Sequence, residues 1–146
     1  MKNQGFTLVE ILIVVIILGI LAAIVIPQFT EASQDARNSA LTSDLQTLRS
    51  QLELYRVQHL GNYPDGTAAK FVEQMTSKTD NAGGSITTGT LGPYMMKMPP
   101  NPFVTATGGA NTAVTVGTDA TGCTTGWFFD TTTGRMSPGD AAHNAL

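Results

Sequence analysis

One carboxylate stands where carboxylates are expensive. Glu10 is the single charge in the apolar run FTLVEILIVVIILGILAAIVI, residues 6–26. At the centre of a lone membrane helix such a group costs on the order of 2.5–3.5 kcal/mol. Glu10 lies nearer one end, where the cost is smaller, yet its position still calls for a partner. Just before the run stands Gly5, a residue with no side chain. The other chemically able residues are scattered. His59 falls at a helix end and reads as a cap contact, and His143 is far from it in sequence. Cys123 is the one cysteine, so no intrachain disulfide can form; it reads as a small buried hydrophobe, with an intermolecular bridge as the alternative. There is no Gly-rich phosphate loop, no Cys/His metal pattern and no nucleophile elbow. The residue types therefore point away from an enzyme.

The element that carries Glu10 is legible. A helix over Phe6–Ile26 spans about 30 Å, the hydrocarbon thickness of a bilayer. Lys2 on the short polar side predicts a cytoplasmic N-terminus with the larger domain across the membrane. Two ordinary readings compete. A secretory signal peptide cut near Ala22-Ala23 has the right place, but its apolar core is usually about 7–15 residues and rarely holds a charge. A plain single-span anchor fits the length and leaves Glu10 unexplained.

Pro27 ends the apolar run without ending the helix. No Pro or Gly follows until Gly61, and Leu41, Leu45, Leu48, Leu52 and Tyr55 recur at intervals of four and three, an amphipathic stripe. A helix from Phe6 to Leu60 would be roughly 80 Å long, so its first half is expected to protrude. Pro27 removes the hydrogen bond to the Ala23 carbonyl and is expected to kink the rod, and Gly19 is a second weak point. The leucine stripe is expected to pack on the chain's own C-terminal domain.

That domain starts at Gly61-Asn62-Tyr63-Pro64, a glycine cap followed by a proline. Asp65 is the expected cap of a short helix over Lys70–Met75. Thr79–Gly92 is Gly/Thr-rich and reads as a loop with room for one short strand. Pro99, Pro100 and Pro102 forbid regular pairing and predict an ordered surface loop. Ala113-Val114-Thr115-Val116 and Gly126-Trp127-Phe128-Phe129-Asp130 read as strands, and the Thr131–Gly134 turn before Arg135-Met136 suggests a hairpin. The fold class is α+β: a long N-terminal helix packed by its C-terminal half on a small antiparallel sheet. The expected divisions are 1–5, 6–27, 28–60 and 61–146. The net charge is −3 and charged residues make up 13%. The cations after Lys2 form no cluster, so no nucleic-acid partner is expected.

Gly5-Phe6-Thr7-Leu8-Val9-Glu10, with a short basic leader before it and an unbroken apolar helix after it, resembles the type III signal sequence of type IV pilins and type II secretion pseudopilins. The Trp127-Phe128-Phe129-Asp130…Gly134 ending is similar to that of related pilin-like proteins, and the C-terminal part otherwise resembles major pseudopilins in its Gly61-x-Tyr63-Pro64 turn and its Gly92-Pro93-Tyr94…Lys97-x-Pro99 loop. It departs from them at Asn101-Pro102-Phe103, where Asp-Pro-Trp is usual. The resemblance implies a leader, residues 1–5, cut by a prepilin peptidase between Gly5 and Phe6, and N-methylation of the Phe6 amine. It implies that Glu10 pairs with the Phe6 amine of a neighbouring subunit, and that the helix between Gly19 and Pro27 can unwind in a filament. The implied partners are further copies of the chain in a helical filament, the inner membrane, the peptidase, an assembly platform protein and other pilins or pseudopilins. The implied location is the bacterial inner membrane as a single-pass precursor, then a periplasmic or extracellular filament. A minor pilin that caps a fibre or binds a ligand or DNA is the alternative. No cofactor is expected. Calcium, which many major pseudopilins bind in an acidic C-terminal loop, has only Asp119, Asp130 and Asp140 as candidates, and their spacing makes no recognisable calcium loop.

Overall fold

Helix α1 runs Leu8–Gln58 without interruption, through both Gly19 and Pro27. These assignments come from a computed structural model that describes residues 5–83 and 89–146. Met1–Gln4 of the expected leader, with Lys2, and residues 84–88 of the expected Gly/Thr-rich loop lie outside the described residues. The apolar run and the lack of breakers explain the helix. At Pro27 the ring removes one backbone bond, and the Thr30 hydroxyl donates to the nearby Ile26 carbonyl at 3.1 Å. Such back-bonding is tolerated in helices and bends them slightly.

The chain divides into two compact units, Met1–Asn38 and Ser39–Leu146. In the first, every large apolar side chain from Phe6 to Phe29 is exposed. The helix is long and apolar enough there to cross a membrane. The second unit begins inside α1 rather than at residue 61. The reason is the leucine stripe: Leu41, Leu45, Leu48, Leu52 and Tyr55 are all buried in one core with Phe71, Met75, Trp127, Phe129 and Met136. Burying each of these large side chains contributes about 1.5–3 kcal/mol, so residues 39–58 belong energetically to the globular unit.

The end of α1 differs from expectation by one structural role. The helix stops at Gln58, and the Gly61 N–H closes it on the Arg56 carbonyl at 2.9 Å. The left-handed residue inside that closing turn is Leu60, at φ 59°, and Gly61 follows it at φ 89°. A left-handed conformation costs a non-glycine residue roughly 1–2 kcal/mol, and Leu60 is 80% exposed, so its side chain recovers little of it. Leu60→Gly is therefore expected to raise the unfolding free energy by about 0.5–1 kcal/mol, the gain being trimmed by the entropy of glycine in the unfolded chain. Urea unfolding of the full chain in detergent micelles measures this; a fall in stability contradicts it.

Helix α2 is Ala68–Thr76. Asp65 does not cap it. Thr67 holds the cap position and makes no side-chain bond to the helix. Asp65 instead accepts from the Gly66 N–H at 2.7 Å and the Lys70 ammonium at 2.9 Å. The lysine holds its carboxyl below the ordinary carboxylate range.

The sheet has three strands, β1 (Val114–Gly117), β2 (Trp127–Asp130) and β3 (Arg135–Pro138), in the order β1-β2-β3. The hairpin is as expected: β2 and β3 are antiparallel, with Asp130 opposite Arg135. The sheet as a whole is mixed rather than antiparallel, because β1 and β2 run parallel, with Val114 opposite Trp127. A two-residue hairpin reverses direction, whereas a longer connection can carry the chain back to the starting end. Residues 118–126 do the latter, through a turn in which Asp119 accepts from the Thr121 N–H and hydroxyl. Outside the sheet, Thr79 and Leu91 form an isolated antiparallel bridge.

Strand β2 is buried on both faces. Trp127 and Phe129 join the helical core, and Phe128 points to the opposite side, as strand alternation requires. The Trp127 indole N–H donates to the Pro99 carbonyl at 2.7 Å. That anchors the proline-rich loop, whose Asn101 is fully buried. The Asn101 amide nitrogen donates to the Gly126 carbonyl at 2.9 Å and to Asp140 at 2.8 Å, and its oxygen accepts from the Phe103 N–H at 2.8 Å.

Candidate assembly site

The chemistry singled out by the sequence collects at the first turn of α1. Thr7 immediately precedes the helix. Its hydroxyl accepts from the Glu10 N–H at 3.3 Å, and Glu10 reaches back to accept from the Thr7 N–H at 2.9 Å and the Thr7 hydroxyl at 2.8 Å. This reciprocal arrangement is a capping box, which satisfies two helix-end donors at once. A carboxylate here also meets the positive end of the helix dipole. The Thr7-x-x-Glu10 spacing before an apolar run is the sequence signature of such a box. A reading that asks only where the charge finds a counter-charge passes over it.

The box changes what Glu10 has to offer. Both bonds from Thr7 fall on one carboxylate oxygen, Oε2. Among the described residues the other oxygen has no hydrogen-bond donor. Glu10 therefore has an intrachain seat that fixes its orientation, and a free oxygen that a cation from elsewhere can meet. Phe6 is 82% exposed beside it. Gly5 has open space around the position a Cβ would take, as does Gly19 farther along the helix.

The remaining candidates serve the fold. His59 is buried, with Nδ1 2.8 Å from the Tyr55 carbonyl and Nε2 3.0 Å from the Thr79 hydroxyl. Since a carbonyl only accepts, Nδ1 donates to it and Nε2 meets the threonine. The ring stacks on Tyr55 at 3.7 Å, and burial pushes the Tyr55 hydroxyl up to about 12. A cleft of about 590 Å³ opens beside this pair and is lined also by Asn62, Tyr63, Lys70 and Gln74. With both ring nitrogens taken, His59 brings no free base to it.

His143 hydrogen-bonds Asp140, and its ring packs on Phe103 at 4.2 Å. Cys123 is half-buried rather than buried, and its sulfur lies 3.1 Å from the Thr125 hydroxyl. Of the three aspartates named for calcium, Asp119 and Asp130 line one pocket and Asp140 does not. Asp119 closes its own turn. Asp140 is shared between Asn101 and His143. Asp130 accepts from the Thr132 N–H and the Thr133 hydroxyl, both at 2.7 Å; the Thr133 hydroxyl is the main reason that its carboxyl sits below the usual range. Among the described residues no three His, Cys, Asp or Glu side chains gather in a way that could hold a metal ion.

Comparison with known proteins bears on the same segment. Residues 1–26 match the family model described as the prokaryotic N-terminal methylation motif. The chain is similar to type II secretion system core protein G of Dickeya chrysanthemi, 38% identical over 63 residues, which are 43% of this chain and 40% of that protein. The protein of the same name from Pseudomonas aeruginosa is 38% identical over 63 residues, covering 43% of this chain and 44% of that one. That of Aeromonas hydrophila is 28% identical over 102 residues, 70% of this chain and 68% of that one. The match thus spans about two fifths of the length of the first two relatives. No solved structure matches the chain.

Proposed function

We propose that this chain, which matches the prokaryotic N-terminal methylation motif over residues 1–26 and is similar to type II secretion system core protein G over 63 residues, is a non-enzymatic structural subunit of a type II secretion pseudopilus. A prepilin peptidase cuts the leader between Gly5 and Phe6 on the cytoplasmic side, and the new Phe6 amine is methylated. The apolar helix stays in the inner membrane until an assembly platform draws it into a helical filament with other copies and other pseudopilins. There the helices pack on one another, and the segment between Gly19 and Pro27 loosens to fit.

The observation that carries this reading is the geometry of Glu10. Its carboxylate is oriented by Thr7 through Oε2, and its second oxygen has no donor among the described residues. A neighbour's Phe6 ammonium would complete it with a charge-assisted hydrogen bond in a low-dielectric surrounding. That contact also sets the axial register of one helix against the next. The test is expression of the chain with a prepilin peptidase and a type II assembly platform, followed by electron microscopy of material sheared from the cells. Thin filaments made of this chain are the expected result. A chain that is processed but remains monomeric in the inner membrane, even when overproduced, contradicts the proposal.

A further inference from the structure

We propose that Met96 is a reversible oxidation site, at which a hydroperoxide converts the thioether to the sulfoxide without disturbing the fold. Five methionines fall among the described residues, and their surroundings differ sharply. Met75 and Met136 are each 1% exposed and Met98 is 5% exposed, all in the core, whereas Met96 is 90% exposed. Met95 is half-buried and packs against the core.

Thioether oxidation needs direct approach of the oxidant to sulfur, so exposure governs which methionine reacts. The sulfur lone pair attacks one oxygen of the hydroperoxide. The O–O bond breaks, an S–O bond forms, and the other oxygen leaves as water or an alcohol after taking a proton. Sulfur loses two electrons and the peroxide gains them. A sulfoxide reductase restores the thioether.

The loop around Met96 is held by atoms that the reaction does not touch. The Tyr94 and Met95 N–H groups both donate to the Met75 carbonyl, at 3.0 and 3.1 Å, and the Tyr94 hydroxyl donates to Gln58 at 2.7 Å. Buried Met98 anchors the other side. Oxidation therefore turns an exposed apolar tip into a polar one while the core keeps its packing. It also consumes oxidant at a harmless position, ahead of three methionines whose sulfoxides would disrupt the core.

The test uses the full chain in detergent micelles, treated with hydrogen peroxide and mapped by tryptic mass spectrometry. Cleavage after Lys70, Lys78, Lys97 and Arg135 puts Met75, Met98 and Met136 on separate peptides from Met95 and Met96, and fragmentation separates that last pair. Met96 sulfoxide is expected to form at least about tenfold faster than sulfoxide at each of the other four. Met96→Leu should remove the fast phase and leave the slow one unchanged, and in guanidinium all sites should react alike. Equal rates in the folded chain, or a first sulfoxide at Met95 or a core methionine, overturn the proposal. So does loss of the folded circular dichroism signal at the stage when only Met96 is oxidised.

Discussion

Glu10→Val is expected to be cut, methylated and inserted in the membrane like the wild type, yet to build no filaments. Valine is favoured in a membrane helix where a carboxylate is not, so insertion has no reason to fail. The change leaves Gly5 and Phe6 in place for processing. It removes the one charge that a neighbouring ammonium could meet. A hydrogen bond to a charged group is worth about 1.5–3 kcal/mol. At about 2 kcal/mol each addition of a subunit is weakened roughly thirtyfold, and the loss recurs along the whole fibre. Thr7→Ala is the control, because it removes the capping hydroxyl at a cost of about 1 kcal/mol and keeps the carboxylate. Filament yield on sheared cells, by immunoblot and electron microscopy, should collapse for Glu10→Val and fall much less for Thr7→Ala. Normal filaments from Glu10→Val contradict the register role, and equal loss in both variants assigns the effect to the cap.

Gly134→Ala is expected to cost the globular unit several kcal/mol, about 2–4. Gly134 sits at φ 68°, and a Cβ there would lie well inside contact distance of two ring carbons and the hydroxyl oxygen of Tyr63. Tyr63 has little freedom to move away. Its hydroxyl donates to Glu53 at 3.1 Å and accepts from Arg56 at 3.2 Å, and its ring meets Phe129 edge-on at 5.7 Å. The Arg56 guanidinium lies over the ring at 5.0 Å. Left-handed strain of roughly 1–2 kcal/mol adds to overpacking of about 1–3 kcal/mol, so a total near 2–4 kcal/mol is expected. Against a typical stability of about 5–15 kcal/mol this lowers the melting midpoint by roughly 10–20 °C. Tyr63→Leu in the same chain should recover part of the steric loss and none of the backbone strain. Thermal unfolding followed by circular dichroism decides it; a loss below about 1 kcal/mol means that Tyr63 yields more easily than its contacts suggest.

Much of this was legible in the sequence because period and composition act locally. The apolar run, the interval of the leucine stripe and the hairpin turn between Asp130 and Arg135 all reappear in the fold. What was not legible depends on contacts between distant segments. The strand order makes β1 parallel to β2, a consequence of how residues 118–126 return rather than of either strand's residues. Asp65 looked like a cap and binds Lys70 instead, because the helix starts at Ala68 with Thr67 in the cap position. Leu60 takes a left-handed role that propensity gives to glycine, because the helix stops at Gln58. Asn101 read as part of a surface loop, and only the fold shows that its amide ties that loop to Gly126 and Asp140. At the assembly site the sequence pointed to Glu10 and to its need for a partner. The capping box with Thr7 was written in the same four residues; it engages one carboxylate oxygen, and the other has no donor among the described residues.

The measurement that bears most directly on the central claim is the intact mass of the chain purified from membranes after coexpression with a prepilin peptidase. The account predicts a chain that has lost Met1–Gly5, begins at Phe6 and carries one added methyl group on its amine. It also predicts that Gly5→Val keeps its leader, since the added side chain blocks close approach to the scissile bond. A wild-type chain that still begins at Met1, or one that begins after Ala23, would contradict the account, because neither leaves a Phe6 amine to meet Glu10.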